Sequence, residues 1–339
     1  MNFGLIGTGL IADIHAEAIG NIPGSRVSAA WGRNFERTRQ FCSRFAASPY
    51  SDAGELFRSK DVEAVVICTP SGTHAELGIQ AARNGKHVLV EKPIDINLER
   101  ADALISACRT AGVHLATCFQ RRCLEHVKRV KEMVDAGKLG KLLVVDAFIK
   151  WYRKPGYYAE SWHGTKALDG GGALINQGIH AVDWLVWIGG PVRKVAAQTR
   201  TLLHKIEAED TALALLEFTN GAVGLIEATT SVYPGFAMRL EITGEKGSVI
   251  ITPDAVESAD IIDIPDAVKL FSRAGLDDGS SDPGNIGWQT HRTLIEDFIA
   301  AIRDNRKPLV DGVEGRRSLE LVCAIYEAAE KKKWLTIEN

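Results

Sequence analysis

The sequence predicts two domains: an α/β domain with a doubly wound parallel sheet over residues 1–119, and an α+β domain with a large, mainly antiparallel open sheet over residues 120–339. Three observations carry this expectation. Up to about residue 118, short apolar runs alternate with amphipathic stretches, the pattern of strands that cross to helices on both faces of a parallel sheet. A G-x-G-x-x-A turn follows the first run directly and opens the first helix. Beyond residue 118, strand-like runs succeed one another through tight turns, as in an antiparallel sheet.

Taken in order, the strands of the first domain are "NFGLI", "RVSAAW", "EAVVICT", "HVLV" and "HLATC", each separated from the next by a helical pattern. The second domain opens with a helix in "LEHVKRVKEMVDAG" and a strand in "KLLVVDAFIKW", followed by a helix around residues 173 to 188. "DTALALLEF", "AVGLIEATTS", "MRLEITG" and "SVIIT" then form the antiparallel sheet, joined by turns such as "TNGA" and "GEKG". Two amphipathic helices, "HRTLIEDFIAAIRDN" and "RRSLELVCAIYEAAEKK", close the chain and can pack back on the first domain.

Charge and composition narrow the partners. Lys and Arg number 40 against 43 Asp and Glu, without a block of like charge, so the footprint of a nucleic-acid binder is missing. "MNFGLIGTG" runs straight into a strand without a charged leader, and no apolar run reaches transmembrane length. A cytoplasmic protein with a small-molecule partner is expected. The six cysteines show neither a CxxC pair nor zinc spacing, which predicts reduced core thiols.

"GLIGTGLIA" places Gly7, Gly9 and Ala12 in the dinucleotide-binding arrangement of a Rossmann domain. The first glycine permits the tight turn, and the second lets pyrophosphate approach the backbone. With Thr8, Leu10 and Ile11 it forms a cradle at a helix N-terminus whose N–H groups are open to phosphate. About 20 residues on, where an acidic residue would hold the adenine ribose, stand Gly32, Arg33 and Asn34. No carboxylate is there to repel a 2′-phosphate and a guanidinium can pair with it, so NADP(H) is favoured over NAD(H). The plainer alternative makes Arg33 a solvated turn residue.

Further cofactor contacts are expected where the other strands end, since ligands of such sheets lie beyond the carboxyl ends. Thr69 and Pro70 make a rigid turn, Thr73 or Ser71 caps the next helix, and His74 either reaches the crevice or is a surface histidine. Glu91 and Lys92, which follow "HVLV", face the same crevice, and Gln120 follows the last strand. Pro93 fixes the turn after Lys92, with a cis Lys92–Pro93 bond expected.

In the second domain the densest stretch is "LDGGGALINQGIHAVDWLVWIGG". Ile175, Ile179, Val182 and Val186 make a core stripe, and Asn176 and His180, four apart, share a neighbouring edge. Gly170, Gly171 and Gly172 strip side-chain bulk where this helix approaches something closely. A lysine and a histidine converging on a nicotinamide suit hydride transfer from a secondary alcohol. Histidine accepts the hydroxyl proton, and an ammonium stabilises the developing alkoxide. Singly, each has a duller reading: Lys92 as a salt bridge to Glu91, and His180 as a satisfied core histidine. A metal site from His180 and Asp183 lacks a third ligand of matching context.

"GLIGTGLIA", "TPSGTHAE", "VEKP", "GGGALINQGIHAVD", "GEKGSV" and "PLVDGVEGRRSLELV" together resemble the glucose-fructose oxidoreductase, inositol dehydrogenase and rhizopine-catabolism (Gfo/Idh/MocA) oxidoreductases over essentially the whole chain. The resemblance implies that Lys92 and His180 are the catalytic pair. Many members place an aspartate where this chain has Asn176; an amide still orients an imidazole but does not stabilise its cation, which shifts proton acceptance toward Lys92. Asp183 is then a structural hydrogen-bonder. Substrate selection falls to Gln120, Arg121 and Arg122 and to the loop carrying Tyr157, Tyr158, Trp162, His163 and Lys166, some of which merely pack beneath it.

The activity implied is NAD(P)-dependent hydride transfer at a ring hydroxyl of a sugar, a sugar derivative such as a sugar-nucleotide uronate, or a cyclitol. The alternatives are a redox-assisted glycosidase that retains NAD, and a non-catalytic sensor. Dimers or tetramers through the exposed face of the antiparallel sheet are also implied.

Overall fold

The computed structural model describes residues 1–159, 162–275, 279–280 and 287–337. The first part of the chain alternates as the pattern demands: β1 (Asn2–Ile6), α1 (Leu10–Gly20), β2 (Arg26–Trp31), α2 (Phe35–Phe45), β3 (Ser48–Tyr50), α3 (Ala53–Arg58), β4 (Ala64–Ile67), α4 (His74–Arg83), β5 (His87–Val90), α5 (Leu98–Ala111) and β6 (Leu115–Thr117). After α6 (Glu125–Asp135) and β7 (Leu142–Lys150), a π-helical turn (Ala173–Gly178) leads into α7 (Ile179–Gly189). Then come β8 (Val192–Arg200), β9 (Thr211–Phe218), β10 (Val223–Thr229), β11 (Arg239–Gly244), β12 (Gly247–Ile251) and β13 (Val256–Ile261). The chain closes with α8 (Gln289–Arg303), α9 (Gly312–Lys331) and β14 (Leu335–Thr336).

The chain divides into two compact units, Met1–Gln120 with Gly287–Arg316, and Arg121–Ile286 with Arg317–Asn339. The chain thus passes between the units three times, after residues 120, 286 and 316, because α8 and the start of α9 belong to the first unit. Close packing explains their attachment. A Cβ at Gly312 would lie 2.5 Å from Leu115 Cδ2, and one at Gly315 would lie 2.1 Å from Thr117 Oγ1.

The first unit holds a six-stranded sheet in the order β3-β2-β1-β4-β5-β6, paired in parallel throughout. Its middle strands are near-continuous apolar runs because both faces are covered: Leu5, Ile6, Val65, Val66, Ile67, Val88, Leu89 and Val90 are all buried. The order reverses between β1 and β4, the switch point where such sheets bind ligands.

The second unit holds an eight-stranded sheet, β13-β12-β11-β7-β10-β9-β8-β14, antiparallel except where β7 runs parallel to β10. One face is covered and one is not. Along β9, Ala212, Ala214, Leu216 and Phe218 are buried while Leu213 and Leu215 are exposed, the period of two that a half-buried strand requires. No helix among the described residues is long and apolar enough to cross a membrane.

The helix expected around residues 173 to 188 opens as a π turn through Gly178, so the four-residue spacing of Asn176 and His180 does not stand for one α-helical edge. The cause lies in its anchorage. The Glu209 carboxylate accepts the amides of Gly172 (3.0 Å) and Leu174 (2.9 Å), and the Glu209 carbonyl accepts that of Ala173 (3.0 Å). The expected close approach of the glycine run is to this residue and to Tyr326: a Cβ would lie 1.8 Å from Glu209 O at Gly172 and 2.2 Å from the Tyr326 hydroxyl at Gly171.

Candidate active site

Since every strand of the first sheet runs in parallel, the loops after β1, β2, β4, β5 and β6 leave from one edge. Gly7 has φ +106, and a Cβ there would lie 2.7 Å from the Cys68 carbonyl, so the turn needs glycine. A Cβ on Gly9 would meet no protein atom within 4 Å. That open backbone at the N-terminus of α1 is what an approaching pyrophosphate requires. Thr8 and Ile11 are half-buried and Leu10 is exposed, so the cradle faces outward.

At the end of β2, Gly32 is buried, and a Cβ there would lie 2.9 Å from Thr8 Oγ1 and 3.0 Å from Thr38 Oγ1. The site lacks room for the acidic side chain that often stands there. Arg33 is exposed. Asn34 is exposed, and its Oδ1 accepts the Arg37 amide (3.0 Å) and caps α2.

After β4, Thr69 and Pro70 are half-buried at the edge. The helix that follows is not capped by Thr73 or Ser71. Thr73 Oγ1 donates to the Pro70 carbonyl, and the buried Asp95 supplies the cap by accepting the Ala75 amide (2.8 Å). His74 is not a surface residue. It is buried, with Nδ1 2.8 Å from the Pro93 carbonyl and Nε2 2.9 Å from that of Thr69, so its ring ties together the loops after β4 and β5. Burial holds its pKa below the ordinary imidazole value.

Lys92 is half-buried after β5, and the Lys92–Pro93 bond is cis. The Glu91 carboxylate, expected to face a ligand, turns inward instead and accepts from His15 Nε2 at 2.7 Å and from the Lys92 amide at 3.1 Å. Burial alone would raise its pKa, but the hydrogen bond and charge of His15, with His291 and Lys92, bring it down to about 2. Gln120 is buried, with Oε1 3.9 Å from Cys118 Sγ.

In the second unit, the stretch before the π turn gathers a polar group. Asn176 Nδ2 donates to Asp169 Oδ1 (2.8 Å) and lies 3.3 Å from His163 Nδ1, while Asp169 Oδ2 accepts the Gly164 amide (2.8 Å). His163 is stacked on Tyr157 at 4.4 Å between centroids and packs against Trp162 at 4.0 Å. The Tyr158 hydroxyl donates to Thr230 Oγ1 (3.0 Å), and burial pushes its pKa up to about 12. Lys166 is exposed, and His180 is buried at the start of α7. Arg121, expected to bind substrate, is buried against Met238 with its guanidinium 5.7 Å over Trp151.

Asp183 is held within the protein. Its carboxylate takes two bonds from the buried Arg122 (2.8 and 2.7 Å) and one from Ser318 Oγ (2.9 Å). Arg122 is accordingly structural too, lying over Trp187. Asp169 and His15 are the residues that sequence reasoning passed over. Asp169 directly precedes the glycine run, a placement that marks it only in retrospect; His15 meets Glu91 76 residues away and left no local signal.

Comparison with known proteins accords with both halves. A family model described as "Oxidoreductase family, NAD-binding Rossmann fold" matches residues 1–119, and the GFO/IDH/MocA C-terminal domain matches residues 127–250. Myo-inositol 2-dehydrogenase of Thermotoga maritima is 29% identical over 355 residues, covering 100% of this chain and 99% of that protein. Inositol 2-dehydrogenase of Rubrobacter xylanophilus is 32% identical over 259 residues, 74% of this chain and 71% of its own length. Among solved structures, the WlbA dehydrogenase from Bordetella pertussis, in complex with NADH and UDP-GlcNAcA, superposes with a TM-score of 0.90 at 31% identity, over 100% of this chain and 98% of that one. The chain belongs to the Gfo/Idh/MocA oxidoreductases, with an NAD-binding Rossmann domain at residues 1–119 and the family's C-terminal domain at residues 127–250.

Proposed function

We propose that this protein transfers a hydride between a nicotinamide nucleotide and a ring secondary hydroxyl of a cyclitol, sugar or sugar derivative, sugar-nucleotide uronates included. The observation that carries the reading is the edge of the parallel sheet, where the open Gly9 backbone after β1 and the half-buried Lys92 after β5 leave from the same side, with β4 between their strands. The named relatives, which act on inositols or were solved with a nucleotide-sugar uronate, support the substrate class.

The nicotinamide, when bound, supplies the hydride acceptor. Lys92 holds an ammonium at the substrate oxygen, where it stabilises developing alkoxide charge, and His180 receives the hydroxyl proton. Asn176, oriented by Asp169, presents its amide to the sugar rather than a charge to the imidazole. Tyr158, Trp162, His163 and Lys166 form the sugar-facing loop, with aromatic faces suited to pyranose C–H surfaces.

NADP(H) is the proposed nucleotide. A side chain at Gly32 meets the Thr8 and Thr38 hydroxyls, so no carboxylate stands at the end of β2, and the exposed Arg33 guanidinium is suited to a 2′-phosphate. The test follows reduced-nicotinamide absorbance with NAD or NADP and a panel of cyclitols, pyranoses, glycosides and sugar-nucleotide uronates. Reduction with one member of the panel supports the dehydrogenase reading, and a Lys92→Ala protein that binds nucleotide but turns over at the wild-type rate sinks the catalytic assignment. A higher kcat/KM with NAD than with NADP removes the nucleotide choice.

A further inference from the structure

The first unit contains a buried group of four side chains outside the nucleotide loop: His15 on α1, Glu91 after β5, Cys118 after β6 and His291 on α8. All four lie out of solvent, and their ligand-type atoms are within 4.8 Å of one another. Such a set raises the question of a metal ion. In this structure His15 Nε2 and Glu91 Oε1 are 2.7 Å apart, a hydrogen-bond length. Two ligands sharing a tetrahedral zinc at about 2.0–2.1 Å would stand roughly 3.3 Å apart.

The hydrogen bonds form a directed path instead. His15 Nε2–H donates to Glu91 Oε1, and Glu91 Oε2 accepts the backbone N–H of Lys92 at 3.1 Å. His15 Nδ1 has no hydrogen-bond partner among the described residues, and because a carboxylate only accepts, Nε2 is the donor of this pair. His291 lies edge-on to His15, with ring centroids 5.0 Å apart at 83°, and its Nε2 is 3.9 Å from Glu91 Oε1. It therefore fixes the plane in which His15 points its donor. One carboxylate thus joins the helix that begins at the nucleotide loop to the main chain of Lys92.

We propose that His15 is a positioning residue for Lys92: through the Glu91 carboxylate it holds the lysine's backbone amide in register with helix α1, so that the nucleotide cradle and the amine are set by one buried hydrogen-bonded unit. This rests on Lys92 being the catalytic amine. A buried carboxylate left without its donor would either take up a proton, which weakens the bond it accepts from the Lys92 amide, or swing away, which breaks that bond. Gln retains a donor at the reach of the imidazole Nε2, whereas Leu retains only bulk.

The test compares His15→Leu and His15→Gln in the full chain by hydrogen exchange at the Lys92 amide, by NADH and NADPH binding through nicotinamide fluorescence, and by turnover with myo-inositol, levoglucosan and UDP-N-acetylglucosaminuronic acid. The expected result for His15→Leu is exchange at Lys92 at least tenfold faster, nucleotide Kd within about twofold of wild type, and kcat lowered about 10- to 100-fold with little change in substrate KM. His15→Gln restores most of both losses. Wild-type exchange and kcat in His15→Leu would overturn the proposal, as would a His15→Gln protein impaired to the same degree. Stoichiometric zinc in the purified protein, whose removal by a chelator also unprotects Lys92, would overturn it in favour of a metal centre. If wild type turns over none of the three substrates, the proposed activity fails on that panel, while the exchange measurement still decides the role of His15.

Discussion

Asp169 Oδ1 accepts a hydrogen bond from Asn176 Nδ2 at 2.8 Å, so the amide at this position is backed by a carboxylate. Asp169 is buried, and the Gly164 amide holds its other oxygen. The hydrogen bond gives the Asn176 amide a defined orientation.

Two substitutions test this arrangement. Asp169→Ala leaves Asn176 without its acceptor, and kcat is expected to fall about 10- to 100-fold through misplacement, with nucleotide Kd unchanged. Asn176→Asp puts two carboxyl groups in contact, so one retains its proton above the ordinary carboxylate range. Its pH–rate profile should gain an ionisation there that the double variant Asn176→Asp/Asp169→Asn lacks.

Acid should weaken the fold through Glu91. Its pKa falls from the ordinary 4.5 when unfolded to about 2 when folded, so its contribution is complete above about pH 4.5 and is lost as pH drops toward 2. The full contribution is roughly 3 kcal/mol. Urea unfolding of wild type and Glu91→Gln between pH 2 and 6 should show a stability gap that is widest above pH 4.5 and closes on acidification. A gap independent of pH would refute it.

Arg122 and Asp183 form a fully buried ion pair, and removing one member strands the other. Arg122→Met is expected to cost about 3–5 kcal/mol, while Arg122→Met with Asp183→Leu costs less than the single change. Thermal denaturation of the two proteins decides the order, which a metal role for Asp183 would not produce.

The glycine run admits a steric test. Gly172→Ala drives a methyl group onto the Glu209 carbonyl, where a Cβ would lie at 1.8 Å. The backbone must move and the π turn with it, at a cost of about 3 kcal/mol, or a Tm lower by roughly 6–12 °C. Gly156→Ala, where a Cβ meets nothing within 4 Å, is the control and should stay near wild type.

On β9 and β10, Leu213, Leu215 and Val223 are exposed on the uncovered face of the large sheet, an apolar surface suited to a second copy. Sedimentation of the wild-type protein should show a dimer or tetramer, and Leu215→Arg should shift it to monomer. A monomeric wild type removes the assembly proposal.

The sequence by itself determined the alternating parallel unit, the glycine cradle, the lysine at the end of β5 and the antiparallel unit, because each is written in neighbouring residues: apolar period, turn chemistry, a strand that stops. The three-residue β3, with Pro49 in its middle, carried no such period and was not legible. Only the tertiary structure decided where polar side chains turn. The buried His74 and Arg121 each meet a group within the protein, since burial obliges a polar atom to find its partner wherever the fold brings one. Asp169, His15 and Glu209 acquire their roles from such meetings. The Glu91–His15 bond joins residues 76 apart and the Arg122–Asp183 pair residues 61 apart, distances over which one chain's sequence states composition but not contact.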